Sequence, residues 1–287
     1  TYHILETSLE NDFKLTPENL AIFFENEAPK KQTVLILNSP NNPTGAVYTK
    51  EEYKALATAC RKYNVVVFSD EIYSQINFSE GYSPSISPYY PEKTIISSGL
   101  SKWCGAGGWR LGTLIFPEGL SYIRDSVRTI ASETYTAVSA PIQYAAIKAY
   151  SEDHSEFLNS SRLILKMIAD YIYRELSSVG VRCQKPQGGF YMICDFTNIV
   201  NITQEINNDK TLCQKILNDI GFAMLPGSDF GLEEEKLLSR IAFVDFDGSA
   251  ALKFVSNKDF TPEDFLDIIC PQIVKGVSLL KEWIKSQ

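Results

Sequence analysis

Four short apolar runs, each closed by polar or glycine-rich residues, constrain this chain more than any other feature. Residues 33–37 (TVLIL) and 65–68 (VVVF) are continuous and short, the pattern of strands covered on both faces. Residues 94–97 and 111–116 supply a third and a fourth strand. Between the first two, Thr49 and Glu52 form a capping box ahead of Tyr53, Leu56, Ala57 and Cys60 at helical spacing. Strands alternating with helices in this way predict an α/β domain with a mostly parallel sheet flanked by helices. Ligands of such sheets sit beyond the carboxyl ends of the strands. Asn42, Asp70 with Tyr73, and Lys102 each follow one of the buried runs, so they are expected to converge there.

Residues 94–116 (TIISSGLSKWCGAGGWRLGTLIF) carry the sharpest chemistry. A lysine between apolar strands is costly to bury as a cation. One reason to place it there is to use its neutral amine as a nucleophile toward a carbonyl. Arg110, eight positions after Lys102 and beyond a glycine-rich bend, suits an anion, commonly a phosphate. The competing reading is a solvated loop lysine. Trp103 beside it reads as an aromatic on a core wall.

Toward the amino terminus the pattern suggests a strand over residues 2–7. A helix then starts at Thr16-Pro17-Glu18-Asn19. The chain begins at Thr1 without a methionine, which reads as a cut inside a fold. Residues 119–150 read as helix, broken near Ser139-Ala140-Pro141. A long amphipathic helix over 155–178 ends near Gly180. It leads into a smaller α+β domain with strands near 190–195 and 239–244 and helices near 209–220 and 262–284. Glu233 to Glu235 read as a solvated helix face. This divides the chain into a large domain, residues 1–160, and a small C-terminal domain, residues 161–287.

At 287 residues and 44% hydrophobic, the chain can bury a sizeable core. Its net charge of −8 argues against nucleic acid or an anionic membrane as a partner. No apolar run is long enough to span a bilayer. Six scattered cysteines without a C-x-x-C pair read as reduced residues of a cytoplasmic protein, and two histidines make a metal site improbable.

SPNNPTG, SDEIY, SGLSKWCGAGGWRLG, LPGSDFG and SRIAF stand in the order and spacing of class I/II aminotransferases. The resemblance to these fold type I, pyridoxal 5′-phosphate enzymes of the aspartate aminotransferase superfamily spans essentially the whole chain. It implies that Lys102 resembles the lysine that holds the cofactor as an internal aldimine and later moves the substrate proton. Asp70 resembles the partner of the pyridinium nitrogen. Tyr73 and Asn42 resemble the groups on the cofactor's phenolic oxygen, and Arg110 the phosphate-binding arginine. Ser101 could add a hydroxyl to the phosphate. Relatives often have another hydroxyl where this chain has Gly99, and Ser98 could substitute. Arg240 resembles the arginine that grips the substrate α-carboxylate, with Asn42 close to the substrate. Taken singly, Asp70 could equally be a cap or turn residue, Tyr73 a strand-end aromatic, Asn42 a turn former and Arg240 a surface cation.

The resemblance further implies transfer of an amino group from an L-amino acid to a 2-oxo acid, in a cytoplasmic homodimer. Alternatives on the same fold are a lyase and the effector domain of a transcription regulator. Family members carry a further N-terminal segment with phosphate contacts and a ring-stacking aromatic. The chain alone is therefore expected to bind cofactor weakly and to be inactive.

Overall fold

The computed structural model describes residues 2–27, 29, 31–79, 81–201, 205–257 and 259–287. The chain forms two compact units, residues 1–40 with 47–155, and residues 41–46 with 156–287. The division expected at residues 160/161 does not anticipate that the 41–46 loop belongs with the second unit.

The first unit is built on β1 (Val34–Asn38), β2 (Val66–Asp70), β3 (Thr94–Gly99) and β4 (Gly112–Ile115), adjacent in that order. The first three are parallel and β4 runs antiparallel to β3. The registers pair Asn38 with Asp70 and Asp70 with Ser97, which aligns the carboxyl ends of the parallel strands. Helix α1 (Pro17–Glu27) starts where expected, with Asn19 N–H donating to Thr16 Oγ1. In α2 (Lys50–Lys62) the capping box is complete: Thr49 Oγ1 accepts from Glu52 N–H at 3.1 Å, and Glu52 Oε2 accepts from Thr49 N–H at 2.7 Å. The α2 stripe of Tyr53, Leu56, Ala57 and Cys60 is buried with Leu37, Val65, Val67 and Tyr90 in one core cluster. Removing the Leu56 side chain from it would cost about 2–5 kcal/mol. Glu52 also pairs with Lys14 Nζ at 3.1 Å, so one carboxylate both caps a helix and neutralises a buried ammonium.

Two expectations for this unit fail. Residues 2–7 form no strand, because no described strand lies beside them to complete their hydrogen bonds, and Tyr2 and Ile4 stay exposed. Strand β1 is covered on one face only: Leu35 and Leu37 face the core, whereas Val34 and Ile36 are exposed. Helices α3 (Ser121–Thr134) and α4 (Ala140–Ser151) are interrupted as expected, with Pro141 in the first turn of α4.

The second unit holds an antiparallel sheet of β5 (Arg182–Cys183), β6 (Tyr191–Asp195), β7 (Leu225–Pro226) and β8 (Leu238–Ala242), in the order β5-β6-β8-β7. Helix α5 (Ser155–Ser177) leads into it and ends as expected, with Val181 N–H donating to Leu176 O at 3.2 Å beyond Gly180. Then follow α6 (Asp209–Ile220), α7 (Gly248–Ser256), α8 (Pro262–Ile269) and α9 (Pro271–Lys285). The single helix expected over 262–284 is two, since Pro271 has no N–H to continue α8. Glu233 to Glu235 lie in turns, not on a helix. Glu234 O accepts from Asp209 N–H at 3.0 Å, which holds this segment against the start of α6, and Lys210 and Lys236 pair with the Glu234 and Glu233 carboxylates.

Candidate active site

In the first unit, β2 delivers Asp70 to the carboxyl end of the sheet. Its carbonyl accepts from Asn38 Nδ2 at 2.9 Å and from Ser39 N–H at 3.2 Å, and Glu71 N–H donates to Ser97 O at 2.8 Å. These bonds tie together three of the segments that the apolar runs were expected to bring side by side. The Asp70 carboxylate is half-buried, and among the described residues it receives one hydrogen bond, from Ile72 N–H at 3.3 Å, and meets no cation. Burial pushes its pKa up, the Ile72 hydrogen bond opposing the shift.

The turn after Asp70 is anchored from below. Glu71 is buried and accepts from Ser69 Oγ at 2.9 Å and Ser85 Oγ at 2.5 Å, while its carbonyl accepts from Ser74 N–H at 2.9 Å. This fixed turn presents Tyr73, itself buried, and Lys102 Nζ stands 5.6 Å from the centre of the Tyr73 ring. Asp70, Tyr73 and Lys102 therefore all leave the same end of one sheet. Ser98, Ser101 and Lys102 are half-buried. At position 99 a Cβ would stand 2.8 Å from Leu111 O and 3.2 Å from Gly112 Cα. Close approach of the segment entering β4 thus demands glycine here.

Arg110 is exposed, in left-handed conformation with φ 54°, and its Nη1 donates to Gly107 O at 2.9 Å. Trp103 is buried on the core wall as expected, against the rings of Tyr150 and His154, and its indole N–H finds no partner among the described residues.

In the second unit, Arg240 Nη1 donates to Asn42 Oδ1 at 3.0 Å, joining two residues 198 positions apart. The guanidinium lies between two rings, 4.3 Å from the centre of Tyr191 and 4.7 Å from that of Phe230. Sequence reasoning missed both rings. Phe230 belongs to LPGSDFG, whose Ser228 N–H and Oγ donate to the buried Asp209 carboxylate at 2.7 and 3.1 Å, so the motif seats an aromatic on Arg240. The 41–46 loop is held by Gln187 and Gly188 N–H, which donate to Gly45 O at 2.8 and 3.1 Å. Such a clamped, ring-sandwiched guanidinium keeps its fork oriented for a planar anion such as a carboxylate.

Comparisons with known proteins bear on the family and the fold. The sequence profile of aminotransferase class I and II matches residues 2–245. The aspartate aminotransferase of Bacillus subtilis is 33% identical over 242 residues, which make up 82% of this chain and 59% of that protein. The chain thus spans less than two thirds of that relative's length. Among solved structures, the aspartate aminotransferase of Thermus thermophilus with maleate superposes with a TM-score of 0.72 at 26% identity, covering 87% of this chain and 61% of that one. The aromatic aminotransferase of Pyrococcus horikoshii reaches 0.76 at 26% identity, covering 97% and 66%. The parallel sheet with its helices is accordingly the fold type I architecture. With the profile spanning both units, the chain belongs to the aminotransferase class I and II family.

Proposed function

We propose that this protein is a pyridoxal 5′-phosphate-dependent aminotransferase that moves an amino group from an L-amino acid to a 2-oxo acid. The observation that carries the reading is that Lys102, Tyr73 and a half-buried Asp70, which meets no cation among the described residues, leave the same end of the parallel strands. A carboxylate with that environment gains most from a bound cation, and a protonated ring nitrogen is the chemical group that fits. When bound, the cofactor supplies an electron sink for the carbanion formed at the substrate Cα.

The chain's own residues would then divide the work. Lys102 would hold the cofactor through its amine and would take up and return the substrate Cα proton. Asp70 keeps the ring nitrogen protonated. Tyr73 would donate a hydrogen bond to the phenolic oxygen, and within the second unit Asn42 holds Arg240. Arg110, whose guanidinium now donates to Gly107 O, would take the phosphate, and Ser101 would add a hydroxyl to it. Arg240 takes the substrate α-carboxylate in its fork and fixes the direction of the Cα–H bond. In this reading the first unit is the cofactor domain and the second the small substrate domain.

The aminotransferase names of the relatives support this reading over a lyase or a regulator. The exposed apolar side chains Tyr122, Ile130, Tyr144 and Ile147 on α3 and α4 support a homodimer. The free cysteines suit a reducing compartment such as the cytoplasm. Among the described residues no helix is long and apolar enough to cross a membrane.

The test is the visible absorption of the protein with pyridoxal phosphate, beside Lys102→Ala, followed by product analysis with a panel of L-amino acids and 2-oxo acids. A band lost in Lys102→Ala, together with amino transfer to an acceptor, is the expected result. A band that persists in Lys102→Ala would move the attachment to another lysine and refute the assignment.

A further inference from the structure

Cys183 and Cys194 are 11 positions apart in sequence, yet β5 and β6 set them directly opposite each other, with the two sulfur atoms 3.1 Å apart. Both are free thiols. Gln184 N–H donates to Ile193 O at 2.9 Å, so that pair is the hydrogen-bonded kind. By alternation, Cys183 and Cys194 form the closer, non-hydrogen-bonded kind, in which side chains approach most nearly. The Cα separation of such a pair, about 4.5 Å, lies within the range a disulfide spans. The neighbouring pair, Arg182 with Asp195, is locked by a 2.7 Å ion pair that fixes the register.

The two sulfurs differ in access. Cys194 is fully buried, whereas Cys183 is half-buried on the short edge strand. Cys194 stands opposite Ser239 on β8, and Ser239 Oγ lies 3.2 Å from Cys213 Sγ on α6. The row of Cys183, Cys194 and Ser239 therefore faces α6, and the adjacent pair of Ile193 and Arg240 faces the other way. Chemistry at the thiols can proceed without touching the Arg240 face.

We propose that Cys183 and Cys194 are a peroxide-responsive thiol pair that closes into a cross-strand disulfide. The Cys183 sulfur attacks one oxygen of hydrogen peroxide. The O–O bond breaks, that oxygen stays on Cys183 as a sulfenic acid, and the thiol proton leaves with the other oxygen as water. The Cys194 sulfur then attacks the Cys183 sulfur. The S–S bond forms, the S–O bond breaks, and the departing hydroxide takes the Cys194 proton as a second water. The pair loses two electrons, and the peroxide is reduced to two waters. Closure ties the edge strand β5 covalently to β6. It is independent of the proposed amino transfer.

The experiment treats the folded chain with hydrogen peroxide, blocks the remaining thiols and maps peptides without reduction. The expected product joins the Cys183 and Cys194 peptides, is lighter by two hydrogens and reverts with dithiothreitol. Half-exposed Cys104 is the internal comparison and stays a thiol over the same interval. In Cys194→Ala, Cys183 should stop at the sulfenic acid and be captured by dimedone. Two results would overturn the proposal in the unsubstituted chain, whatever the folding of the variant. One is over-oxidation of Cys183 while Cys194 remains a thiol, and the other is oxidation of Cys104 with the pair left reduced.

Discussion

Replacing Gly45 by alanine tests how the 41–46 loop is seated in the second unit. The residue has φ +73°, and a Cβ there would stand 2.8 Å from both Tyr191 O and Pro186 Cβ and 3.1 Å from Gly188 O. A left-handed conformation costs an alanine about 1–2 kcal/mol. Forcing a methyl group against backbone that cannot swing aside adds about 1–3 kcal/mol. Restriction of the unfolded chain returns about 0.4–1 kcal/mol. The net loss is then about 1–4.6 kcal/mol. At a urea dependence of about 2 kcal/mol per molar, it lowers the midpoint by about 0.5–2.3 M. Gly221→Ala is the internal reference, because Gly221 has φ +72° in the same unit with nothing within 4 Å of its would-be Cβ. It carries only the conformational cost, about 0–1.6 kcal/mol after the unfolded-state return. Urea titration followed by far-ultraviolet circular dichroism compares the two. Equal losses would show that the contacts with 186–191 carry no energy, and the argument for a seated loop would fail.

Asp70→Asn should raise the thermal midpoint of the cofactor-free chain at neutral pH. Burial raises the folded-state pKa of Asp70, so its favourable contribution is present in acid and is lost as pH rises through the folded value. The advantage of the variant should therefore shrink on acidification toward the ordinary carboxylate range, about pH 4, as melting curves across pH would record. The same substitution should weaken cofactor binding. Glu52→Ala removes the capping carboxylate and strands buried Lys14, and equilibrium unfolding should show a loss of about 2–4 kcal/mol.

Most of the architecture was legible because it rests on local rules. The apolar runs, the Thr49–Glu52 capping box and the Pro141 interruption each decide a structure within a few residues of themselves. Residues 2–7 misled for the opposite reason: a strand exists only with a partner, and no pattern inside the segment supplies one. The site divides along the same line. The convergence of Asp70, Tyr73 and Lys102 was readable because Asp70 closes β2, Tyr73 and Lys102 follow β2 and β3 within three positions, and parallel strands end together. The rings around Arg240 were not, since Tyr191 lies on β6 and Phe230 in the turn before β8, and only the sheet brings them together. The Cys183–Cys194 pair escaped because adjacency across a hairpin depends on register and not on spacing.

The loop at 41–46 has a consequence for how the polypeptide can be made. Its seat, residues 186–191, is synthesised long after the loop itself, so the loop must wait while the whole first unit emerges. Neither unit is a separable stretch of chain. A fragment starting at residue 156 would contain Arg240 but not Asn42, and would leave Gln187 and Gly188 N–H without their acceptor. Completion of the second unit therefore needs residues made before most of the first unit as well as residues made after it.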